Sequence, residues 1–360
     1  MCRRSRRWFF KWLERYRSGR IDWFKDHPRA PKSNPHQLDE RVTGIIKLTR
    51  LNLYNRGEFC GAQAILWELD RLGWRPLPSA RSINRILARE GLTHRRTGRY
   101  LPKGKEYPAP TVELPNDLHQ SDFVGPCYLR GPIRFYSLNT VDLVTGRCAV
   151  QPILKPNAQS SIEALWSTWQ RLGFPTYQQV DNELVFYGSP THPRGMGSLI
   201  RLCLWHGIEP WFIPFREPWR NGVVEKFNDH YQQKCLKRES FSGFEQLVRA
   251  SRDFEGRHNS RYRYSKLKGR TPLETLQSFN TPLRYPQTPA PTHPLPKPRQ
   301  GRYHLLRFIR SQQQLDIFGE KFLLPADCIH EYVRATVEVD LQRVNVFLRD
   351  QLIEEIDYPL

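Results

Sequence analysis

Between His119 and Lys237 the apolar rhythm of the chain changes in a fixed order, and that order leaves few folds open. Residues 118–124, 133–141 and 147–153 alternate apolar and polar side chains with period two. With turns near Gly131 and Thr145-Gly146, they read as three successive antiparallel strands. Over 158–172 the period lengthens to that of a helix, placing Ile162, Leu165, Trp166, Trp169 and Leu172 on one face. A strand over 176–181, a helix over 197–207, a short strand over 208–214 and a helix from Gly222 to about Leu236, opened by Asn221, complete the run. The sequence βββαβαβα requires a mixed sheet with helices on its faces.

Three carboxylates stand at telling places in this scheme, which has the element order of a ribonuclease H-like fold. Asp122 lies inside the first strand (His-Gln-Ser-Asp-Phe-Val-Gly) and Asp181 ends the fourth (Tyr-Gln-Gln-Val-Asp). Glu225 falls in the first turn of the last helix (Arg-Asn-Gly-Val-Val-Glu-Lys-Phe-Asn). Acids so distant in sequence meet only if the sheet aligns their strand ends and the helix packs beside them. Gathered without matching bases they repel, so such a site implies divalent metal. Two ions roughly 3.5–4 Å apart would activate an attacking oxygen and stabilise a leaving one in phosphoryl transfer. The plainer reading is that acids are common at strand ends and favoured at helix N-termini. Asp142 on the second strand is a further candidate ligand, though it reads more simply as a structural acid capping the Thr145-Gly146 turn, and Glu183 reads as a competitor of Asp181 for metal.

The flanks of this core point to a polyanion. The net charge of +20 is concentrated at the front: residues 1–110 hold 25 Lys and Arg against 10 Asp and Glu, whereas 295–360 hold 9 against 10. Residues 3–18 form a basic helix with Trp8, Phe9, Trp12, Leu13 and Tyr16 at helical spacing. It reads either as a wet amphipathic helix or as the recognition helix of a partial helix-turn-helix over 1–25, whose preceding helices are missing. A proline-bearing linker over 26–38 leads to a second helix-turn-helix over 39–95. Its first helix turns Val42, Ile45, Ile46, Leu48 and Leu51 inward, and its second does so with Ile65, Leu66, Leu69 and Leu72. The last helix, N-capped by Ser79, buries Ile83, Ile86 and Leu87 and leaves Arg81, Ser82, Asn84, Arg85 and Arg89 outward. Such a face fits the major groove of double-stranded DNA, where Arg reads guanine and Asn reads adenine.

A basic, then proline-rich connector over 93–116 joins this module to the core, which extends over 112–278. Its last part interleaves Arg249, Arg252, Arg257, Arg261 and Arg263 with His258, Tyr262 and Tyr264, a mixture suited to phosphate contact. Residues 281–299, with seven prolines, read as a semi-rigid spacer, and the short alternating runs over 300–360 as a small SH3-like barrel. The seven cysteines are scattered without C-x-x-C, which argues against a disulfide framework or a zinc site. No apolar run is long enough to span a bilayer and no basic helix has a lipid-binding face, so the expected setting is cytoplasmic, at the nucleoid, with no membrane partner.

Certain motifs go further than periodicity. Gln120-Ser121-Asp122-Phe123-Val124-Gly125, Val180-Asp181-Asn182 and Asn221-Gly222-Val223-Val224-Glu225-Lys226-Phe227-Asn228 resemble the three acid motifs of the DDE transposases of bacterial insertion sequences, within the retroviral integrase superfamily. Cys60-Gly61-Ala62 with the segment from Pro78-Ser79 to Arg85-Ile86-Leu87 resembles that family's second helix-turn-helix. The resemblance implies strand cleavage at element ends and transfer of the freed 3′-hydroxyl to target DNA, with two Mg²⁺ or Mn²⁺ ions on Asp122, Asp181 and Glu225. In such a site Asn221, one helical turn from Glu225, and Asn182, next to Asp181, would support those acids; Arg216, Arg220 and Lys226 are near enough in sequence to touch phosphate; and two element ends call for a homo-oligomer, at least a dimer, on DNA. The chain departs from the family in reading Asp181-Asn182-Glu183 where Asp-Asn-Gly is usual, and in a 44-position interval between Asp181 and Glu225 that holds an insertion around 187–197. Two other functions fit the same residues: a DNA-binding regulator with a dead core, and a hydrolase of RNA–DNA hybrids.

Overall fold

The computed structural model describes residues 4–26, 38–93, 105–189 and 192–360, so most of the linker over 26–38, part of the connector over 93–116 and two positions of the insertion fall outside the described residues. The chain divides into two compact units, Met1–Lys47 and Leu48–Leu360. In the first, Ser5 caps α1 (Arg6–Arg17) by accepting from the Trp8 amide, and Arg15 and Arg17 sit at its negative end. None of its residues is buried. Its aromatic rings contact one another, as in Trp8–Trp12 and Tyr16–Trp23, and Arg15 lies over Trp12. Within residues 4–26 it is the single helix, so no second helix completes a helix-turn-helix there.

The second basic module has the expected helices: α2 (Glu40–Asn55), which runs across the boundary between the units, α3 (Ala62–Arg71) and α4 (Ala80–Arg89). The inward face of α2 is rotated from expectation. Ile46, Thr49, Arg50 and Leu53 are buried, while Leu48 and Leu51 are more than half exposed. A seam at i, i+3, i+4 and i+7 runs through Thr49 and Arg50, which apolar counting passes over. Leu72, past the end of α3, is likewise exposed.

The core follows the expected order closely: β1 (Leu118–Tyr128), β2 (Arg134–Asp142), β3 (Cys148–Ile153), α5 (Ala158–Leu172), β4 (Tyr177–Val180), α6 (Leu184–Tyr187), α7 (Ser198–Trp205), β5 (Glu209–Phe212) and α8 (Gly222–Tyr231). A single π-helical turn, Gln232–Leu236, prolongs α8, and α9 (Phe244–Arg261) and α10 (Pro272–Gln277) follow. β1 to β3 are antiparallel, and β4 and β5 add in parallel beyond β1. Alternation along β2 sends Leu138 to the side packed by α5 and α7, and Phe135 and Val141 to the side packed by α8 and α9.

Two expectations about the C-terminal part are corrected. Residues 281–299, expected as a semi-rigid spacer, lie as a strap on the core. The indole nitrogens of Trp166 and Trp205 donate to the carbonyls of Thr288 and Pro296, the Phe174 amide donates to the Arg284 carbonyl, and Leu295 is buried. The strands beyond it are β6 (Arg302–Phe308), β7 (Gln314–Ile317), β8 (Glu320–Leu323), β9 (Tyr332–Glu338), β10 (Arg343–Leu348) and β11 (Gln351–Asp357). They do not close on themselves: β6 pairs in parallel with β5, and one nine-stranded sheet runs β11-β10-β9-β6-β5-β4-β1-β2-β3, with β7 and β8 as a separate hairpin. His304 ties this seam, meeting Glu209 of β5 at 2.8 Å and Thr336 of β9 at 3.0 Å.

Candidate active site

Strand register brings the first two acids side by side. In the parallel pair, Gln120 of β1 faces Gln179 of β4, so two residues further on Asp122 comes beside Asp181, just past the end of β4. The third acid arrives on α8. Glu225 and Asn228 are three residues apart and share a helical face. The Asn228 Nδ2 donates to Asp122 Oδ2 at 2.7 Å, which sets that face against β1. Behind it runs a buried relay: Ser137 Oγ donates to Asn139 Oδ1 at 2.7 Å, and Asn139 Nδ2 to Asn228 Oδ1 at 2.8 Å. Asn139 is itself the cross-strand partner of Asp122.

Electrostatics mark the same group. Burial, then the charges of Asp181, Glu183 and Glu225, push the Asp122 carboxyl up to about 7, with the Phe123 amide pulling the other way. Burial and then Asp181 push Glu183 up to about 7 as well. Burial raises Asp181, and burial with Asp229 raises Glu225. Asp122 is the point where the negative charges converge, and among the three proposed ligands it is the one whose proton best relieves the repulsion. The donors are hard oxygens whose mutual repulsion a divalent cation would offset, and in that respect they fit one. Among the described residues, however, no three His, Cys, Asp or Glu side chains are close enough to hold an ion. The charges of Asp181, Glu183 and Glu225 nonetheless reach Asp122.

The remaining sequence candidates separate into those that build the site and those used elsewhere. Asn221 caps α8 in sequence but does not face the acids. It is buried, donates to the Ser121 carbonyl at 3.0 Å and accepts from Gln179 Nε2 at 3.2 Å, tying α8 to β1 and β4. Asn182 Nδ2 donates to the Ile213 carbonyl and so fixes the end of β4 to β5. Gln120 Oε1 accepts from the amides of Val223 and Val224, supplying the side-chain cap that Asn221 does not. Asp142 accepts from Thr145 and from the Asn116 amide, and is the turn cap that its place in the sequence implies.

Arg216 and Lys226 are exposed, but Arg220 is committed inside the protein to Glu217 and Tyr332. On α4, Arg81, Asn84, Arg85 and Arg89 are exposed and Ser82 is half-buried, bonding Ser79 through its amide and hydroxyl. The insertion after Asp181 closes where Gly197 passes so near Tyr187 that a Cβ would lie 2.4 Å from its backbone. Phe186 there stacks on Phe123, beside Asp122. The site residues missed by sequence reasoning are Gln120, Asn139 and Asn228. Of these only Asn228 left a signal, the three-residue spacing from Glu225.

Residues 206–272, from the end of α7 through α8 and α9, match the family model described as integrase core domain. Among solved structures the chain is similar to the HTLV-2 integrase catalytic core domain in complex with magnesium, in its trimeric form. That match has 19% identity over 46% of this chain and 99% of that chain, at a TM-score of 0.34. The simian T-cell lymphotropic virus intasome in complex with PP2A regulatory subunit B56 gamma gives 15% identity, 88% and 97% coverage and a TM-score of 0.40. The catalytic core domain of BIV integrase gives 19%, 45% and 95%, and 0.33.

Proposed function

We propose that this chain, which carries an integrase core domain over residues 206–272, is a DDE-type transposase that cuts DNA at element ends and joins them to a target. The observation that carries this reading is the Asn228–Asp122 bond. It fixes the helix of the third acid against the strand of the first, while β-sheet register supplies the second. The segment Arg220-Asn221-Gly222-Val223-Val224-Glu225-Lys226-Phe227-Asn228, which holds Glu225 and Asn228, lies inside the matched residues.

In this reading Asp122, Asp181 and Glu225 hold two Mg²⁺ or Mn²⁺ ions, which when bound activate the attacking oxygen and offset charge on the leaving one. The chain's own residues do the rest. Asn228 orients Asp122, and Asn221 and Gln120 seat the first turn of α8. Exposed Arg216 and Lys226 meet phosphate, and the Arg81, Ser82, Asn84, Arg85 and Arg89 face of α4 reads the terminal repeat in the major groove. Water first cleaves a phosphodiester at the element end, leaving a 3′-hydroxyl. That hydroxyl then attacks a target phosphodiester in line, its proton departing and a target 3′-oxygen leaving. Two element ends call for two active sites, hence a homo-oligomer of at least two copies on DNA.

The test is nicking of a duplex bearing the element's terminal repeats in Mg²⁺ or Mn²⁺. Asp122→Asn should lower nicking by about a thousandfold or more while binding survives, as expected when a two-metal centre is lost. Binding without nicking in the wild type would instead identify a DNA-binding regulator. Cleavage of RNA–DNA hybrids without terminal repeats would identify a hydrolase.

A further inference from the structure

The segment between β5 and α8 delivers Glu225, and the C-terminal strands grip it at two places. Arg216, in the middle of this segment, has a left-handed φ of 61°, a conformation that a non-glycine residue holds only when its surroundings fix it. On one side of it Phe215 lies under the guanidinium of Arg307 from β6, 4.2 Å from the ring centroid. Arg307 is buried, donates to the carbonyls of Asp316 and Leu306, and has one nitrogen with no hydrogen-bond partner, so the ring face is a substantial part of its surroundings.

On the other side Glu217, Arg220 and Tyr332 form a closed triangle. Arg220 Nε donates to Glu217 Oε2 at 2.9 Å, Tyr332 Oη donates to Glu217 Oε1 at 2.6 Å, and Arg220 donates to Tyr332 Oη at 3.2 Å. Tyr332 opens β9 and is almost fully buried. The triangle lies directly before Asn221, the residue that pins α8 to β1. Arg220 also reaches the Lys105 carbonyl at 3.0 Å and stacks on Tyr107, so the end of the connector from the DNA-binding helices meets the same point.

We propose that Tyr332 and Arg307 are positioning residues for the reaction: they hold residues 214–221 in the shape that presents Glu225 to Asp122, making the C-terminal strands a working part of the catalytic centre. The proposal rests on the transposase reading above. Neither residue touches the acids. Their effect passes through Glu217 and Phe215 to the start of α8, and so to the position of Glu225 relative to Asp122.

The experiment compares wild type, Tyr332→Phe, Glu217→Gln and the double variant in the full chain. Tyr332→Phe keeps the ring and deletes only the hydroxyl, so the fold should persist. Three quantities are read: amide hydrogen exchange of residues 214–221, Mn²⁺ affinity, and kcat and KM for a terminal-repeat duplex. The expected result is faster exchange, weaker Mn²⁺ binding and a kcat about ten- to a hundredfold lower at unchanged KM, the size of effect a displaced catalytic group produces. The double variant should be no worse than either single one. Unchanged exchange, or faster exchange with unaltered Mn²⁺ affinity and kcat, overturns the proposal alone. A wild type that neither binds Mn²⁺ nor cuts DNA overturns the transposase reading, and this proposal with it.

Discussion

Two aspartates on adjacent strands, Asp142 buried and Asp122 half-buried, show how differently one side chain is treated within a single sheet. Asp142, at the end of β2, accepts from the Thr145 amide at 3.1 Å, the Thr145 hydroxyl and the Asn116 amide at 3.1 Å, with the Arg147 charge nearby. Burial raises its carboxyl, and these donors pull it back. Asp122, in β1, has the Asn228 side chain and the Phe123 amide, and against them three carboxylates. An acid that serves the fold is surrounded by donors. On the proposed reading Asp122 is instead an acid kept for a ligand, left among charges of its own sign so that a cation has repulsion to relieve.

The same substitution at the two positions should therefore act with opposite signs. Asp142→Asn turns an amide hydrogen toward donors and leaves one of them buried without an acceptor, a loss of about 2 kcal/mol. Asp122→Asn removes the repulsion and should gain about 2 kcal/mol in metal-free buffer at pH 8. The sign follows from linkage. The Asp122 carboxyl is raised in the folded chain to about 7 from an ordinary 3.8, so the stability it contributes is present below about pH 4 and is lost as pH rises through 7. The advantage of Asp122→Asn should grow across that window, which urea unfolding from pH 4 to 8 would measure. Equal destabilisation by both substitutions would abolish the distinction.

An effect of opposite slope belongs to the Asp142 side. His119 pairs with Asp142 across the strands, bonds Asn116 at 3.0 Å and is wholly buried. Burial, then Arg147, lowers it to about 3 from 6.5. The unfolded chain thus takes up a proton first as pH falls, so the stability from a neutral His119 is complete above about 6.5 and drains away toward 3. On the order of 3 kcal/mol is at stake at one residue. In His119→Gln this part of the acid slope should vanish, and an unchanged slope would assign it to other groups.

How much of this was legible in the sequence depends on the range of the interaction. Local periodicity fixed α5 at 158–172 to the residue, and the capping of α4 by Ser79, because helix and cap are set by neighbours in the chain. The places of the three acids, on β1, just past β4 and in the first turn of α8, were legible from their contexts. The parallel junction of β5 with β6 was not, since nothing near Trp211 or His304 encodes a partner some ninety residues away. Proline content was a poor guide to residues 281–299: proline lacks an amide but keeps its carbonyl, and the carbonyls of Thr288 and Pro296 are what the strap offers. Arg220 shows the limit of reading charge alone. It sits among basic residues next to an acid motif, yet its guanidinium is used by Glu217 and Tyr332.

The smallest effect sharpens the comparison most directly, because it asks what each aspartate is for. Mn²⁺ that binds the folded chain and not the unfolded one stabilises it by about 1.4 kcal/mol at ten times its Kd. If Asp122 is kept for the ion, that gain depends on it, since the negative charges converge there. It should vanish in Asp122→Asn and Asp181→Asn, weaken in Glu225→Gln, whose acid lies one helical turn from the Asn228 anchor, and persist in Asp142→Asn despite the lower baseline. Thermal unfolding with and without Mn²⁺ measures all four. A shift that survives Asp122→Asn would place the ion elsewhere, and one lost in Asp142→Asn would mean that both aspartates serve a single electrostatic unit.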